Sequence, residues 1–334
     1  MTTKLALVTG GNGFVGCHVV RALLARGDRV RVLAREEADL SALAGLPVDI
    51  VRGDLRNFDQ VERAVNGCSE VYHVAADYRL WLTDPAPMYE TNVRGTQHVI
   101  RAAVSAGVSR VIHTSTVGAL GIPYGGMGRE DTPSSLAAMT GHYKRSKYMA
   151  EQAALEAARA GAPVVIVNPS TPIGALDFKP TPTGRIIVDF LNRRMPAYVE
   201  TGLNIVDVED VARGHLMAAE RGRIGEKYIL GGENLTLQEF LGRLATISGM
   251  SPPKMRIPYA VALGYALGAE AFARTVTHRA PRASLTEVRM ARKRMFFDSS
   301  KARAELGYSP APIEKAILSA IEFFRSKGAA KSAA

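Results

Sequence analysis

A glycine-rich turn close to the N-terminus constrains the fold of this chain more strongly than any other feature of its sequence. The segment Thr9 to Gly16 reads TGGNGFVG and follows Leu5 to Val8, an apolar run that predicts a buried strand. The next residues, Val15 to Arg26, predict a helix that ends at Gly27 with a left-handed C-cap. The chain therefore begins with a strand, a glycine turn and a helix.

The positions of the glycines in this turn indicate a binding site for a dinucleotide. They would supply a tight turn, close approach of the backbone to a pyrophosphate, and close packing of the helix on the strand. The cofactor-binding residues that we expect in the turn are Gly10, Asn12, Gly13, Phe14, Val15 and Gly16. The alternative is a tight strand-to-helix turn without a ligand.

Short apolar runs alternate with helix-like segments from Lys4 to about Asn168. The further strands that we predict are Val30–Leu33, Val48–Val51, Val71–Val74, Val111–His113 and Val164–Val167. This rhythm is typical of a buried parallel sheet, so we expect an α/β fold with a Rossmann-type doubly wound sheet. A composition of 47% hydrophobic and 22% charged residues excludes wholesale disorder, collagen and coiled coil.

The pattern changes after Asn168, which predicts the entry to a second, smaller lobe. Four prolines interrupt any regular element there, and they are Pro169, Pro172, Pro180 and Pro182. We expect a cofactor-binding Rossmann domain over residues 1–168, with return segments near 204–230. A discontinuous C-terminal substrate lobe would comprise residues 169–203 and 231–325, followed by a frayed tail over 326–334.

The end of the second strand favours NADP(H) over NAD(H) as the cofactor. In dinucleotide-binding folds an acidic residue about 20 positions past the glycine turn holds the ribose 2′-hydroxyl of NAD. Arg35 ends the strand here, and a guanidinium binds a 2′-phosphate that an aspartate would repel. The alternative is an arginine that only faces solvent. We further expect Asp54 and Leu55 to meet the adenine, and Ala75 and Ala76 to pass near the cofactor ribose.

Tyr143 and Lys147 form the candidate catalytic pair. They lie four residues apart in the string YKRSK, so a helix places them on the same face. We expect the charges of Lys147 and of the nicotinamide to lower the pKa of the Tyr143 phenol from about 10, which makes it a proton carrier. The segment Thr114 to Gly121 ends a predicted strand with hydroxyls that could hold a substrate oxygen. An exposed amphipathic turn is the alternative interpretation.

In this order, the glycine turn, the hydroxyl cluster and the Tyr-x-x-x-Lys motif resemble the extended short-chain dehydrogenase/reductase family over about the whole chain. The resemblance implies that Thr116 bears the catalytic hydroxyl, with Ser115 as the less favoured bearer. It also implies that Asn92 is a structural residue near the site, and that Asn168 and Ser170 face cofactor and substrate. Many sugar-nucleotide members carry arginine where Asn168 stands, so this chain departs from them there.

Several longer strings are more particular. HVAADYRLW from His73, GHYKRSK from Gly141 and the segment Asn168 to Arg185 resemble the hopanoid-associated sugar epimerases, relatives of the dihydroflavonol 4-reductases. That resemblance implies an association with hopanoid lipid synthesis and does not establish a substrate. The residues that we expect to contact the substrate are Asp77, Tyr78, Ser115, Val117 and Arg185.

These features predict an NADP(H)-dependent oxidoreductase that acts on a carbonyl or hydroxyl carbon of a sugar-like or polyol substrate, small or lipid-linked. The first alternative is a sugar epimerase that retains NAD(P). The second is a non-catalytic cofactor-binding protein, which the presence of Thr116, Tyr143 and Lys147 disfavours. Family resemblance further implies a homodimer that forms through two predicted helices, Met88–Ala106 and Tyr143–Ala160.

Charge and residue usage argue against other kinds of site. The net charge of +10 comes from 42 basic and 32 acidic residues without an aromatic-studded basic run, so we expect no nucleic acid as a partner. The 7 histidines lack metal-ligand spacing, and we assign no metal. Cys17 and Cys68 cannot build a disulfide framework, which favours a reducing, cytoplasmic setting.

One apolar segment, Ile257 to Ala269, is too short to span a bilayer, and Glu270 ends it. We interpret it as a helix of the smaller lobe. The alternative is a weak peripheral contact with the inner membrane surface, because a basic cluster follows this segment in the chain. The cluster consists of Arg289, Arg292, Lys293 and Arg294.

Overall fold

The structure is a computed structural model that describes residues 4–277, residue Pro281 and residues 284–330. Its strands are β1 (Leu5–Thr9), β2 (Arg29–Ala34), β3 (Val48–Arg52), β4 (Glu70–His73), β5 (Arg110–Thr114), β6 (Val164–Pro169), β7 (Thr171–Ile173), β8 (Ala197–Tyr198), β9 (Gly202–Asp207), β10 (Lys227–Leu230), β11 (Glu233–Thr236) and β12 (Met255–Arg256).

Its α-helices are α1 (Phe14–Arg26), α2 (Phe58–Val65), α3 (Ala86–Tyr89), α4 (Gly95–Ser105), α5 (Gly141–Arg159), α6 (Pro182–Leu191), α7 (Val208–Arg221), α8 (Leu237–Ser248), α9 (Tyr259–Phe272), α10 (Leu285–Ala291), α11 (Ser300–Leu306) and α12 (Ile313–Ser326). A π-helical turn, Glu90–Arg94, joins α3 to α4, and a second one, Ala273–Thr277, extends α9.

Seven parallel strands form the main sheet in the order β10-β6-β5-β4-β1-β2-β3. The order of the chain reverses between β1 and β4, where Thr9 lies opposite His73. In open sheets of this kind, a crevice for ligands lies at the carboxyl ends of the strands at such a reversal. The predicted doubly wound Rossmann sheet is confirmed.

Helices cover both faces of this sheet, which explains why its central strands are mostly apolar. Ala6 and Val8 pack in one cluster with α1 and α7. Leu7, which points to the opposite side, packs in another cluster with α2, α4 and α5. Because neither face of the central strands meets water, most of their residues are apolar. Toward the edge of the sheet, β2 carries Arg29 and Arg31, and Arg31 forms an ion pair with Asp49 of β3.

A smaller lobe is built on a second sheet. β7, β9 and β11 form a three-stranded sheet, and β8 pairs with β12. Helices α6, α8 and α12 pack together around Ile187, Phe240 and Phe324. Only Ser170 separates β6 from β7, so the carboxyl end of a main-sheet strand leads directly into the smaller lobe.

Three segments differ from the boundaries that we expected. β9 opens the expected return segment 204–230 but pairs with β7 and β11, and only α7 and β10 rejoin the main lobe. α11 falls within the expected lobe segment 231–325, yet Ala302 and Leu306 pack against the main core. Of the tail over 326–334, Ala330 is buried against the smaller lobe, and residues 331–334 lie outside the described residues. Apolar periodicity identifies a buried side without identifying the neighbour that buries it.

The apolar segment Ile257 to Ala269 forms most of α9. Ala262 and Ala266 of α9 pack against Val288 of α10, so the two helices form a hairpin on the smaller lobe. Within the ranges that the structure describes, no helix is both long and apolar enough to cross a membrane.

Candidate active site at the carboxyl edge of the main sheet

The glycine turn after β1 brings two backbones into contact. Gly10 has a φ of 69°, and a Cβ there would lie 2.7 Å from the backbone of Ala75, which follows β4. A Cβ at Gly13 would lie 3.2 Å from the Gly10 carbonyl oxygen, and one at Gly16 would overlap that oxygen. The three glycines therefore permit a packing of turn, helix and β4 that larger residues would prevent.

Helix α1 begins in this turn without a side-chain cap. Gly13 is the N-cap residue, and the first helical turn holds no acidic residue, so its N–H groups can bind an anion. Phe14 and Val15 are partly exposed there. The Asn12 side chain donates to the Asp39 carbonyl at 3.1 Å and ties the turn to the segment after β2. These residues fit the pyrophosphate of a dinucleotide.

Two arginines stand at the ends of β2 and β3. Arg35 is exposed, and no described residue accepts a hydrogen bond from its guanidinium. Arg52 donates to the carbonyl oxygens of Arg35 at 2.7 Å and of Glu36 at 3.1 Å, which holds the turn that carries Arg35. We did not predict Arg52, because its contact is with backbone and has no sequence motif. The Arg35 guanidinium is thus free to bind an anion.

The residues expected beside adenine and ribose follow β3 and β4. Asp54 forms a two-point ion pair with Arg56, whose hydrogen bonds hold the pKa of that carboxyl below its usual value. Leu55 is buried, whereas Ala75 and Ala76 are partly exposed beside the glycine turn. The carboxylate of Asp54 therefore already has a partner within the protein.

Lys147 lies buried at the carboxyl end of β5. It is 3% exposed, and its Nζ donates to the Thr114 carbonyl at 2.6 Å. Burial lowers the pKa of Lys147 to about 8, and the negative charge of Glu151, one helical turn further along α5, opposes that shift. At neutral pH the ammonium is therefore charged.

The surroundings of Tyr143 in the protein raise the pKa of its phenol, and the Lys147 charge does not lower it as we expected. Burial raises the pKa of Tyr143 to about 12, the hydrogen bond with the Thr116 hydroxyl opposes this rise, and Tyr78 adds to it. The Lys147 ammonium is turned toward Thr114 and is not among the groups that shift this pKa. The protein by itself therefore keeps Tyr143 protonated at neutral pH.

Ser115, Glu151 and Asn168 form a buried network beneath the pair. Glu151 is 1% exposed and accepts hydrogen bonds from Ser115 Oγ at 2.5 Å and from Asn168 Nδ2 at 2.7 Å. Asn168 Nδ2 also donates to the Thr116 carbonyl at 3.1 Å. Ser115 thus supports the site from below, contrary to the substrate contact that we expected of it. Thr116 is the hydroxyl that meets Tyr143.

Two buried polar atoms at the end of β6 have no hydrogen-bond partner among the described residues. They are Asn168 Oδ1 and Ser170 Oγ. Leaving such an atom unpaired costs about 1–3 kcal/mol, so a ligand that hydrogen-bonds both would recover that free energy. Their position between the two lobes supports the expectation that Asn168 and Ser170 face cofactor and substrate.

The other residues that we expected to contact the substrate differ in how exposed they are and in whether their polar groups already have partners. Tyr78 is 45% exposed and Arg185 is exposed on α6, and no described residue hydrogen-bonds either polar group. The Asp77 carboxylate is paired with Arg79 at 2.5 Å, and Val117 is buried in a small apolar cluster. Tyr78 and Arg185 therefore remain the candidates for polar contacts with a substrate.

Asp177 is a further candidate that we did not predict, because it stands alone among prolines. It is 3% exposed, and its Oδ2 accepts from the Thr181 N–H at 2.8 Å and from the Thr181 hydroxyl at 2.9 Å. Its Oδ1 has no partner among the described residues. Burial raises the pKa of Asp177 to about 6, while the Arg185 charge opposes this rise. The charges of Asp177 and of Arg185 both act on the Tyr78 phenol, so the three residues lie near one another, and we refer to the space that they border as the cleft.

Asn92 joins the segment after β4 to α5. Its Oδ1 accepts from the Asp77 N–H at 2.7 Å, and its Nδ2 donates to the Asp77 carbonyl and to Ser146 Oγ, each at 2.9 Å. The π-helical turn that contains Asn92 brings it to this position. The contacts are those of a structural residue near the site.

The histidines of the main sheet lie in its core. His73 lies between the hydroxyls of Thr9 and Thr96, at 2.8 and 2.9 Å, and burial lowers its pKa to about 3. In the part of the chain that the structure describes, no three His, Cys, Asp or Glu side chains are grouped so that they could hold a metal ion.

Proteins of known sequence and structure resemble this chain over nearly its whole length. The model of the NAD dependent epimerase/dehydratase family matches residues 6–231. A Synechocystis protein, provisionally named dihydroflavonol 4-reductase, is 44% identical and aligns over 97% of this chain and 96% of its own. Sterol demethylase protein B of Methylococcus capsulatus is 37% identical, and the alignment covers 98% of this chain and 99% of that protein. The crystal structure of a nucleoside-diphosphate-sugar epimerase from Pseudomonas aeruginosa has a TM-score of 0.81 at 29% identity. The match covers 99% of this chain and 100% of the epimerase chain.

We predict that Glu151→Gln lowers the pKa of Lys147 below about 8, because it removes the charge that opposes the effect of burial. Binding that depends on the charged ammonium is lost as pH rises through that pKa. The affinity for NADPH, measured by fluorescence titration across this pH range, should therefore begin to fall at a lower pH than in the wild type. Glu156→Gln, on the exposed side of the same helix, is the control. An unchanged pH profile for Glu151→Gln would contradict the role of this carboxylate.

Proposed function

Because this chain belongs to the NAD dependent epimerase/dehydratase family, we propose that it is an NADP(H)-dependent oxidoreductase that reduces a carbonyl carbon of a sugar-like or polyol substrate. Membership of this family makes it an NAD(P)-dependent enzyme. The observation that carries the finer proposal is the placement of Tyr143, Thr116 and Lys147 at the end of β5. Only β4 separates β5 from β1 and its glycine turn.

Each of these three residues would have its own task. The nicotinamide cofactor, when bound, supplies the hydride. Tyr143 is protonated at neutral pH and can give its proton to the oxygen of the carbonyl. The Thr116 hydroxyl beside it would orient that oxygen. Lys147, charged at neutral pH, would hold the ribose next to the nicotinamide.

One feature favours reduction as the net reaction. Arg35 suits NADP(H), whose pool supplies reducing power. The alternative, a sugar epimerase with retained NAD(P), is supported by the likeness to the Pseudomonas epimerase. A non-catalytic cofactor-binding protein is disfavoured, because Thr116 and Tyr143 are both present and in contact.

The substrate that we propose is a lipid-linked polyol, such as a hopanoid with an opened sugar side chain. Tyr78, Asp177 and Arg185 offer the cleft a phenol, a carboxylate oxygen without a partner among the described residues, and a guanidinium. Such groups hydrogen-bond hydroxyls. The relative from Methylococcus capsulatus has a name that refers to a sterol, which supports an apolar body behind the polar end.

We also propose that the protein forms a homodimer through α4 and α5. Val104 on α4 is 52% exposed, and Met149 on α5 is 38% exposed. Each of the two helices therefore offers a large apolar side chain to a partner, as the resemblance to the family implies.

The direct test of the reaction supplies candidate aldoses, free or lipid-linked, together with NADPH. We expect NADPH to disappear in a one-to-one ratio with a product that has gained two hydrogens, since reduction consumes one hydride and one proton. Absorbance of the reduced nicotinamide and the mass of the product measure the two quantities. Isomers of unchanged mass at constant absorbance would show an epimerase instead.

We predict that Tyr143→Phe lowers turnover by at least roughly hundredfold, because it removes the proton donor and retains the ring. NADPH affinity should stay close to that of the wild type, which also shows that the variant is folded. Tyr148→Phe, on the same helix, is the control, since its hydroxyl only reaches the Ser134 carbonyl at 3.4 Å. Wild-type turnover in Tyr143→Phe at saturating substrate would refute the assignment.

We predict that the wild type binds NADP(H) more tightly than NAD(H) and that Arg35→Asp reverses this order. One charge-assisted hydrogen bond contributes about 1.5–3 kcal/mol, so we expect roughly tenfold to hundredfold discrimination. Calorimetric titration with both cofactors measures it. Arg29→Asp, exposed at the opposite end of β2, should leave the order unchanged. Equal affinities in the wild type would show that Arg35 does not contact the cofactor.

A further inference from the structure

The hairpin of α9 and α10 exposes an apolar helix to solvent. Of the α9 side chains, only Ala262, Ala266 and Glu270 are buried. The large apolar side chains that this helix and the turn after it expose are Val261 at 60%, Tyr265 at 58%, Leu267 at 51%, Phe272 at 57% and Val276 at 60%. A helix that is apolar on all sides is ordinarily buried. Here one side is buried, and the apolar remainder faces outward.

The exposed residues of α9 form a stripe. Val261, Tyr265 and Phe272 stand at spacings of four and seven residues, which places them on one helix face. The single charged residue of α9, Glu270, is buried and accepts a hydrogen bond from the Leu285 N–H at 3.0 Å. The outer face of this helix therefore has no charged group that would hold it in water.

The segment of sequence that contains this stripe is rich in positive charge. Residues 254–294 contain nine Lys and Arg and two Glu, so they hold a net charge of +7 out of the +10 of the whole chain. Four of these cations are exposed and form no ion pair with a described residue, namely Arg289, Arg292, Lys293 and Arg294. Exposed apolar side chains together with unpaired cations suit a partner whose outer layer is negatively charged and whose interior is apolar.

We propose that the α9–α10 hairpin docks this protein on the surface of an anionic lipid bilayer. A second copy of the chain is the less suitable occupant. In a symmetric dimer through this hairpin, each copy would bring the four exposed cations Arg289, Arg292, Lys293 and Arg294 to the same interface, and the two sets of charges would repel each other. The anionic headgroups of a bilayer attract that charge, and its hydrocarbon accepts Val261, Tyr265 and Phe272.

The hairpin also adjoins the candidate active site. Gly141, the first residue of the helix that carries Tyr143, packs so closely on Thr286 of α10 that a Cβ there would lie 2.8 Å from the Thr286 Cγ2. Lys144 donates to the Met295 sulfur at 3.6 Å, four residues past the end of α10. A docked hairpin would bring the cleft to the membrane. The further consequence, that a lipid-linked substrate enters from the bilayer, rests on the proposed function, whereas docking itself does not.

The test is flotation of the full chain with phosphatidylcholine vesicles that contain or lack phosphatidylglycerol. We expect the wild type to float with the anionic vesicles at low salt and to stay at the bottom with neutral vesicles or at high salt, because salt screens the attraction. A wild type that stays at the bottom under every condition would overturn the proposal. Turnover of a water-soluble aldehyde, measured on the same protein, tests the proposed function separately.

Two variants and a control locate the contact. The combination Val261→Ser, Tyr265→Ser and Phe272→Ser should lower binding to anionic vesicles by at least roughly tenfold. Arg289→Gln with Arg292→Gln should lower it by roughly fivefold for each cation and weaken its salt dependence. Ile224→Ser with Leu318→Ser removes two side chains that are 49% and 46% exposed elsewhere, and should bind like the wild type.

The variants also distinguish a protein partner from a lipid surface. If the triple serine variant binds vesicles like the wild type, docking through α9 is wrong. If it instead changes from dimer to monomer in size-exclusion chromatography while vesicle binding persists, the hairpin is an interface between copies and the proposal fails. Retained turnover on the soluble aldehyde shows that the variant is folded.

Discussion

The arrangement of the candidate active site depends on the burial of one ammonium group, that of Lys147. A buried charge costs several kcal/mol unless polar groups surround it. The Thr114 carbonyl at the end of β5 accepts a hydrogen bond from the ammonium, and Glu151 supplies a nearby negative charge. Glu151 in turn binds Ser115 and Asn168, which joins α5 to β5 and β6. Asn168 also donates to the Thr116 carbonyl, so the network around Lys147 is linked to the backbone of the residue whose hydroxyl faces Tyr143.

The parallel direction of the main sheet decides where the remaining groups meet. The carboxyl ends of its strands lie at one edge, so the glycine turn after β1, Arg35 after β2 and Thr116 after β5 share that edge. β6 continues into the smaller lobe, which brings Asp177 and Arg185 to the same cleft. Because α10 rests on the first residue of α5, the exposed apolar hairpin stands beside that cleft as well.

The strands of the main sheet and the helix that carries Tyr143 and Lys147 follow from short-range periodicity, and the structure contains them. Lys147 does not lower the pKa of Tyr143 as we expected, because its ammonium is turned to Thr114, and burial raises that pKa. Ser115 and Thr116 are neighbours with the same chemistry. Only the position of Glu151 on α5 distinguishes them, because Glu151 binds the Ser115 hydroxyl and leaves the Thr116 hydroxyl to face Tyr143.

The sequence by itself determined the alternation of strands and helices, the glycine turn and the Tyr-x-x-x-Lys pair, because backbone geometry and side-chain period act over a few residues. The tertiary structure alone decided the pairing of β9 with the smaller sheet, the return of α11 to the main core and the approach of Asp177 to Tyr78. It also left the apolar face of α9 uncovered. These outcomes depend on which distant surfaces exclude water from each other, and no local pattern specifies the partner of a buried face.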